Sequence, residues 1–250
     1  MILLLGGTEE ARLIAENLDC EDFDLIVTVT SSYGADLLSG TGAEVMQRRF
    51  TEEGLQEFLN ARGIDLIIDA THPFACEITS LALDSCRSMD VRYVRYERPR
   101  VEYPADMRVL EVEDFEEAAA AASEYERILL TTGSSNLQEF TDALEDAERR
   151  VFVRILPRTN FLRRTLECGI PVGNVIAMKG PFSLEMNEVI FRDYDIDAVV
   201  SKASGSCGGV EEKLRAADRI GIPVILIDRP EFDYPEKVQN MEQLQEGLNH

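Results

Sequence analysis

Short apolar runs alternate with longer segments of helical periodicity along almost the whole chain. The runs are 2–5, 25–29, 66–68, 128–130, 151–155, 175–178, 198–200 and 224–227, each rich in Val, Ile and Leu. They are apolar at successive positions rather than alternate ones. Strands of that kind are covered on both faces and belong to parallel sheets. Helical patterns lie between them, at 9–18, 53–61, 76–88, 115–123, 161–167, 184–192 and 210–220, with a further acidic one at 241–248. Strand–helix alternation of this length predicts an α/β, doubly wound parallel-sheet architecture. Gly63-Ile64 and Gly221-Ile222 each follow a helical pattern and precede an apolar run, as a helix C-cap followed by a strand would. The segment 97–104, Glu-Arg-Pro-Arg-Val-Glu-Tyr-Pro, has two prolines, several charges and no apolar periodicity. It is the expected boundary between a first unit of about 100 residues and a second of about 150.

Charge and composition narrow the partners. The 250 residues carry 47 acidic and 25 basic side chains, a formal charge of −22. Such a chain repels phosphate backbones and anionic lipid, so neither a nucleic acid nor a membrane surface is expected as partner. A small anionic ligand needs a local positive pocket. Five cysteines (Cys20, Cys76, Cys86, Cys168, Cys207) without C-x-x-C spacing and two histidines (His72, His250) argue against a metal site or a disulfide framework. The N-terminal apolar run is too short for a signal peptide or membrane span, which points to a cytoplasmic chain.

The candidate chemistry sits where apolar runs end. The first run leads into Gly6-Gly7-Thr8-Glu9-Glu10-Ala11, the place of a dinucleotide phosphate loop. Gly6 and Ala11 fit the G-x-G-x-x-G/A pattern, but Thr8 replaces its middle glycine. Thr8 offers a hydroxyl, and Glu9 and Glu10 are expected to point outward. A plain strand-to-helix turn remains the competing reading. The second run ends in Ser31-Ser32-Tyr33-Gly34, facing the adenosine ribose in such a fold. Neither a carboxylate nor an arginine is present there, which leans toward NADH over NADPH. The run 66–68 ends in Asp69-Ala70-Thr71-His72-Pro73-Phe74-Ala75. Pro73 suits the first helical turn, Thr71 or His72 can cap it, and His72 is the candidate proton donor. Three further ends, 130–136, 178–183 and 201–209, are rich in small and hydroxyl residues. Lys202 adds a positive charge to the last of them. Tyr-x-x-x-Lys, G-x-S-x-G and Walker A signatures are absent.

Taken together, these motifs resemble the precorrin-6A reductase family of cobalamin biosynthesis. The resemblance rests on Leu4-Leu5-Gly6-Gly7-Thr8-Glu9-Glu10-Ala11, Thr30-Ser31, Asp69–Ala75, Glu97-Arg98-Pro99 and Thr131-Thr132-Gly133. It continues with Arg154-Ile155-Leu156-Pro157, Gly180-Pro181-Phe182-Ser183 and Lys202-Ala203-Ser204-Gly205, with Gly208-Gly209 and Lys213 behind. The matches occur in family order over nearly the whole chain; Ser201 and Ser206 depart from the usual threonine and glycine.

The resemblance implies two Rossmann-like domains with the active site in a cleft between them. Here these would be 1–98, binding the nucleotide, and 99–250. It implies hydride transfer from NADH or NADPH to a double bond of a small-molecule tetrapyrrole, cobalt-loaded or metal-free. Gly6, Gly7 and Thr8 would hold the pyrophosphate, Ser31 and Ser32 the ribose, and Thr71 and His72 the nicotinamide end. Lys179, Lys202, Arg98 and Arg154 would receive substrate carboxylates, with Ser204 and Gly205 beside them. The cleft is then expected to be locally positive. A non-catalytic NAD(P)-sensing module, or a hydrolase using Ser204 or Ser134, would be the alternatives.

Overall fold

The computed structural model describes residues 1–19, 24–205 and 208–248; Cys20, Ser206, Cys207 and His250 lie outside them. The first unit runs β1 (Ile2–Leu5), α1 (Glu9–Asp19), β2 (Leu25–Val29), α2 (Ser32–Leu37), β3 (Glu44–Gln47), α3 (Glu52–Arg62), β4 (Leu66–Asp69), α4 (Cys76–Met89) and β5 (Arg92–Tyr96). The second runs β6 (Val109–Val112), α5 (Phe115–Ala122), β7 (Ile128–Leu130), α6 (Leu137–Ala143), α7 (Ala147–Arg150), β8 (Val151–Ile155), α8 (Thr159–Glu167), β9 (Val175–Ala177), α9 (Leu184–Asp193), β10 (Ala198–Lys202), α10 (Val210–Ile220) and β11 (Val224–Ile227). The chain closes with β12 (Lys237–Val238) and α11 (Met241–Leu248).

Two six-stranded parallel sheets result, ordered β3-β2-β1-β4-β5-β12 and β9-β8-β7-β10-β11-β6. The first has the 3-2-1-4-5-6 strand order of a dinucleotide-binding fold, in which the direction of winding reverses beside the first strand, and the second repeats its five-strand core, with β6 in the sixth place. The reversal falls between β1 and β4 in one sheet and between β7 and β10 in the other. In β1, Ile2 and Leu4 pack on the face covered by α1, while Leu3 and Leu5 pack on the face covered by α3 and α4. Covering both faces is why the run has no polar position; each buried leucine contributes about 2 kcal/mol. The second sheet's α9–α10 face is built the same way, from Leu129, Phe152, Val199, Val210 and Leu214. Gly63 (φ +60°) and Gly221 (φ +84°) are left-handed caps closing α3 and α10, as the sequence predicts.

The tail departs from the sequence-based boundary. Residues 1–99 together with 230–250 form one compact unit, and 100–229 the other. Assigning 99–250 to a single domain overlooks the pairing of β12 with β5, Lys237 beside Arg95 and Val238 beside Tyr96. Arg92 anchors this return through Glu236 at 2.8 Å and the Gly247 carbonyl at 2.9 Å. Phe232 and Tyr234 pack into the core of the first unit. The sixth strand of the first sheet therefore comes from the tail, β12, while that of the second, β6, opens its own unit's strand–helix succession.

Candidate functional site

In an open parallel sheet, ligands bind beyond the carboxyl ends of the strands where the winding reverses. At the β1–β4 reversal lies a groove of about 620 Å³. Its walls include Gly6, Gly7, Thr8, Ser31, Thr71 and His72, together with Arg48, Arg49 and Phe50. Three separate strand ends thus bring most of the expected cofactor residues to one place. Ser32 is exposed in the first turn of α2, outside that lining.

The glycine turn has little room for side chains. A Cβ on Gly6 would stand 3.0 Å from Val27 Cγ1 and 3.3 Å from Ala11 Cβ. Gly7 has φ +107°, a conformation that disfavours any L side chain. Thr8 is not the free donor expected. Its hydroxyl donates to the Ala70 carbonyl at 2.7 Å and accepts from the Ala11 N–H at 3.2 Å. It therefore caps α1 and ties that helix to the end of β4, and a ligand would meet the turn's backbone. Ser31 caps α2 by accepting the Gly34 N–H at 3.1 Å. Glu10 does not simply point outward; it pairs with Arg98, and both side chains are largely buried. Arg98 thus carries its own counter-ion, unlike the open cation expected.

The Asp69–Ala75 segment is organised differently from its sequence-based expectation. A turn closes from the Ala75 N–H to the His72 carbonyl at 2.8 Å, with Pro73 at its second position. Helix α4 begins only at Cys76 and has no side-chain cap, so neither Thr71 nor His72 caps it. His72 Nδ1 accepts the Phe74 N–H at 3.3 Å, which assigns the proton of the neutral ring to Nε2.

Beneath this segment is a buried polar cluster that no local motif announces. Asp69 is fully buried. It accepts from the Thr71 N–H (2.9 Å) and from the hydroxyls of Thr71 (2.6 Å), Thr79 (2.7 Å) and Tyr93 (2.8 Å). Arg95, 1% exposed, donates to Asp69 at 2.8 Å. Burial pulls the Arg95 guanidinium down, but Asp69 leads the neighbours that outweigh it, so its pKa is raised. Burial, reinforced by Asp69, pushes the Tyr93 hydroxyl up as well. The cluster holds the 69–75 segment by hydrogen bonds from β5 and α4.

Arg48 and Arg49 follow β3 directly and are exposed in the groove wall. The Arg48 guanidinium lies 4.9 Å from the Phe50 ring centre and 5.1 Å from that of Phe58. The arginines absent after β2 thus occur after the neighbouring strand β3 and line the same groove.

At the second reversal, Lys202 ends β10 with its ammonium 5.0 Å from the Phe115 ring centre. Ser204 and Gly205 are buried in the loop behind it, Gly205 with φ +84°. Arg154 is buried rather than presented to solvent. It donates to Asn187 Oδ1 at 2.7 Å and lies 4.1 Å from the Phe182 ring centre. Burial pulls its pKa down to about 10. Lys179, by contrast, is exposed. Sequence reasoning assigned no role to Lys213. Its Nζ is buried and donates to Ser201 Oγ at 2.6 Å and Thr131 Oγ1 at 3.2 Å. No helix among the described residues is long and apolar enough to cross a membrane.

Known proteins align with the full extent of this architecture. The family model described as "Precorrin-6x reductase CbiJ/CobK" matches residues 1–249. The chain is 35% identical to the cobalt-precorrin-6A reductase of Priestia megaterium, covering 99% of this chain and 98% of that one. It is 39% identical to the cobalt-precorrin-6A reductase of Methanothermobacter thermautotrophicus, covering 93% and 77%. The solved structure titled "CobK precorrin-6A reductase" superposes with a TM-score of 0.82 at 27% identity, over 99% of this chain and 96% of that one.

Proposed function

The chain belongs to the precorrin-6x reductase family, and from that premise we propose that it adds a hydride and a proton across one carbon–carbon double bond of cobalt-precorrin-6A, giving cobalt-precorrin-6B. The observation that carries this reading furthest is the groove at the β1–β4 reversal, where Gly6, Gly7, Ser31, Thr71 and His72 share one wall system. Its fit to a nicotinamide dinucleotide rests on the glycine turn, where Gly6 lets α1 start close against Val27 of β2, and on cationic Arg48 and Arg49 in the groove wall. When bound, the reduced nicotinamide supplies the hydride.

The protein's own residues bind, orient and supply charge. The Gly6–Gly7 backbone and the first turn of α1 receive the pyrophosphate. Ser31 meets the adenosine ribose, and Arg48 and Arg49 meet a 2′-phosphate, so NADPH is preferred to NADH. Thr71, locked onto Asp69, holds its end of the groove in one shape. His72, whose neutral ring carries its proton on Nε2, orders the water that donates the proton, or donates it itself once protonated to the imidazolium. Carboxylates of the macrocycle bind at the carboxyl edge of the second sheet, near Lys202, Ser204 and Gly205.

Anaerobic mixing of the protein with cobalt-precorrin-6A or precorrin-6A, and NADPH or NADH, tests this directly. Loss of reduced-nicotinamide absorbance is expected, fastest with NADPH and the cobalt-loaded macrocycle. Cofactor binding without oxidation in any of the four mixtures would overturn the reductase reading in favour of a sensing module. His72→Ala is expected to lower turnover and to remove its fall on the alkaline side; full turnover at every pH would contradict a proton role.

A further inference from the structure

Two basic side chains are buried behind the second sheet's reversal. Lys213 and Arg154 are 4% and 8% exposed, and neither forms an ion pair among the described residues. Their polar partners are neutral: Ser201, Thr131 and Asn187. Burying cations this way is costly, and native proteins ordinarily pair them. A second feature of the same edge is incomplete. Thr132, two residues past the end of β7, is 6% exposed, and its buried hydroxyl has no hydrogen-bond partner. Next to it Gly133 turns the chain with φ +84°. Thr131 is half-buried and joins this turn to the interior: its hydroxyl accepts from Lys213 and donates to the Val200 carbonyl at 2.9 Å.

We propose that Lys213 is a positioning residue for the reaction: it holds the Thr131 and Ser201 hydroxyls across the β7–β10 junction and, with Arg154, supplies the field that draws one macrocycle carboxylate onto the 131–133 turn. This deepens the reductase reading and rests on it. The bound carboxylate would accept from the Thr132 hydroxyl and complete the charge balance of the two cations. Lys213 need not touch it.

Burial, and then Arg154, pull the Lys213 ammonium down to about 7, while Glu212 opposes them. Other charges on the packed elements are engaged: Glu188 of α9 binds Arg192 and Arg219, and Lys202 of β10 stands over Phe115. A carboxylate at the turn favours the charged lysine. Above neutral pH, binding the macrocycle therefore takes up a proton.

The test uses the full chain, NADPH and cobalt-precorrin-6A. In the wild type, calorimetry near pH 8 in buffers of different ionisation enthalpy is expected to report net proton uptake on macrocycle binding, and none on cofactor binding. Lys213→Met is expected to abolish that uptake and to raise KM for the macrocycle about tenfold, with KM for NADPH and kcat nearly unchanged. Lys213→Arg, whose charge does not titrate, is expected to restore KM and flatten its rise with pH. No proton uptake by the wild type overturns the inference even if both variants fail to fold. So does a Lys213→Met protein that melts earlier but keeps the wild-type KM and pH profile. A wild type that turns over while showing either result leaves the reductase reading standing; a wild type that oxidises no cofactor ends both.

Discussion

The two sheet edges share a strand order and differ in their buried charge. At the β1–β4 reversal, the buried acid Asp69 is met by Arg95, three hydroxyls and a backbone N–H. At the β7–β10 reversal, the buried cations Lys213 and Arg154 have only neutral partners. One edge is internally balanced; at the other, Glu212 is the acid that acts on Lys213, and neither cation has an acidic hydrogen-bond partner. The balanced edge suits a ligand recognised mainly by backbone at a glycine turn, with arginines added at the rim. The unbalanced edge suits a ligand that brings its own carboxylates. The repeated topology provides two carboxyl edges, and side chains away from either glycine turn set the charge buried behind each.

Removing the balance at the first edge should have the largest effect. Asp69→Ala leaves buried Arg95 with only the more distant Glu97, at 3.5 Å, as its acid, an expected loss of about 3 kcal/mol of stability in urea denaturation. Cofactor affinity should fall with it, because Thr71 loses its anchor. Stability close to the wild type would show that the cluster is dispensable.

The second edge predicts the opposite kind of response. An unfolded lysine loses its proton near the ordinary value of 10.5, and buried Lys213 already near 7. Between those values the unfolded chain binds more protons, so stability attributable to this group rises with pH and is lowest below about 7. Between pH 7 and 8.5 the wild type should gain about 1–2 kcal/mol relative to Lys213→Met in denaturant titrations. Parallel pH profiles would deny the buried-cation description.

Smaller still is the expected effect at the rim of the first groove. Arg48→Gln with Arg49→Gln should raise KM for NADPH about tenfold while leaving that for NADH nearly unchanged. Equal losses with both cofactors would mean that the arginines do not read a 2′-phosphate. Thr8→Val, which removes the bond to Ala70 and the α1 cap, should cost about 1 kcal/mol of stability.

The doubly wound fold was legible because its central strands are apolar on both faces, as Ile2–Leu5 and Val224–Ile227 are. The outer strands of the first sheet were not. β3 reads Glu-Val-Met-Gln, β5 reads Arg-Tyr-Val-Arg-Tyr, and β12 has two residues. Their charges are tolerated by pairings distant in sequence, Arg95 with Asp69 and Arg92 with Glu236. Missing β12 misplaced the tail, and missing β3 hid the arginines that follow it. The glycine turn, Thr71 and His72 were found because a strand end followed by Gly-Gly or His-Pro is a local signal. What local signals do not carry is the state of each group once folded. Thr8 is spent as a cap, Arg98 is paired with Glu10, and Arg154 is buried beside Phe182. Lys213 reads from sequence as one more helical lysine until β7 and β10 close over it.

The division of labour between the two edges is tested most directly by measuring equilibrium binding of NADPH and of cobalt-precorrin-6A, each alone, to two proteins: Arg48→Gln with Arg49→Gln, and Lys213→Met. The expected result is a double dissociation, with the arginine variant weakened about tenfold for NADPH only and the lysine variant about tenfold for the macrocycle only. Equal weakening of both ligands by either variant, or the reverse pairing, would contradict it.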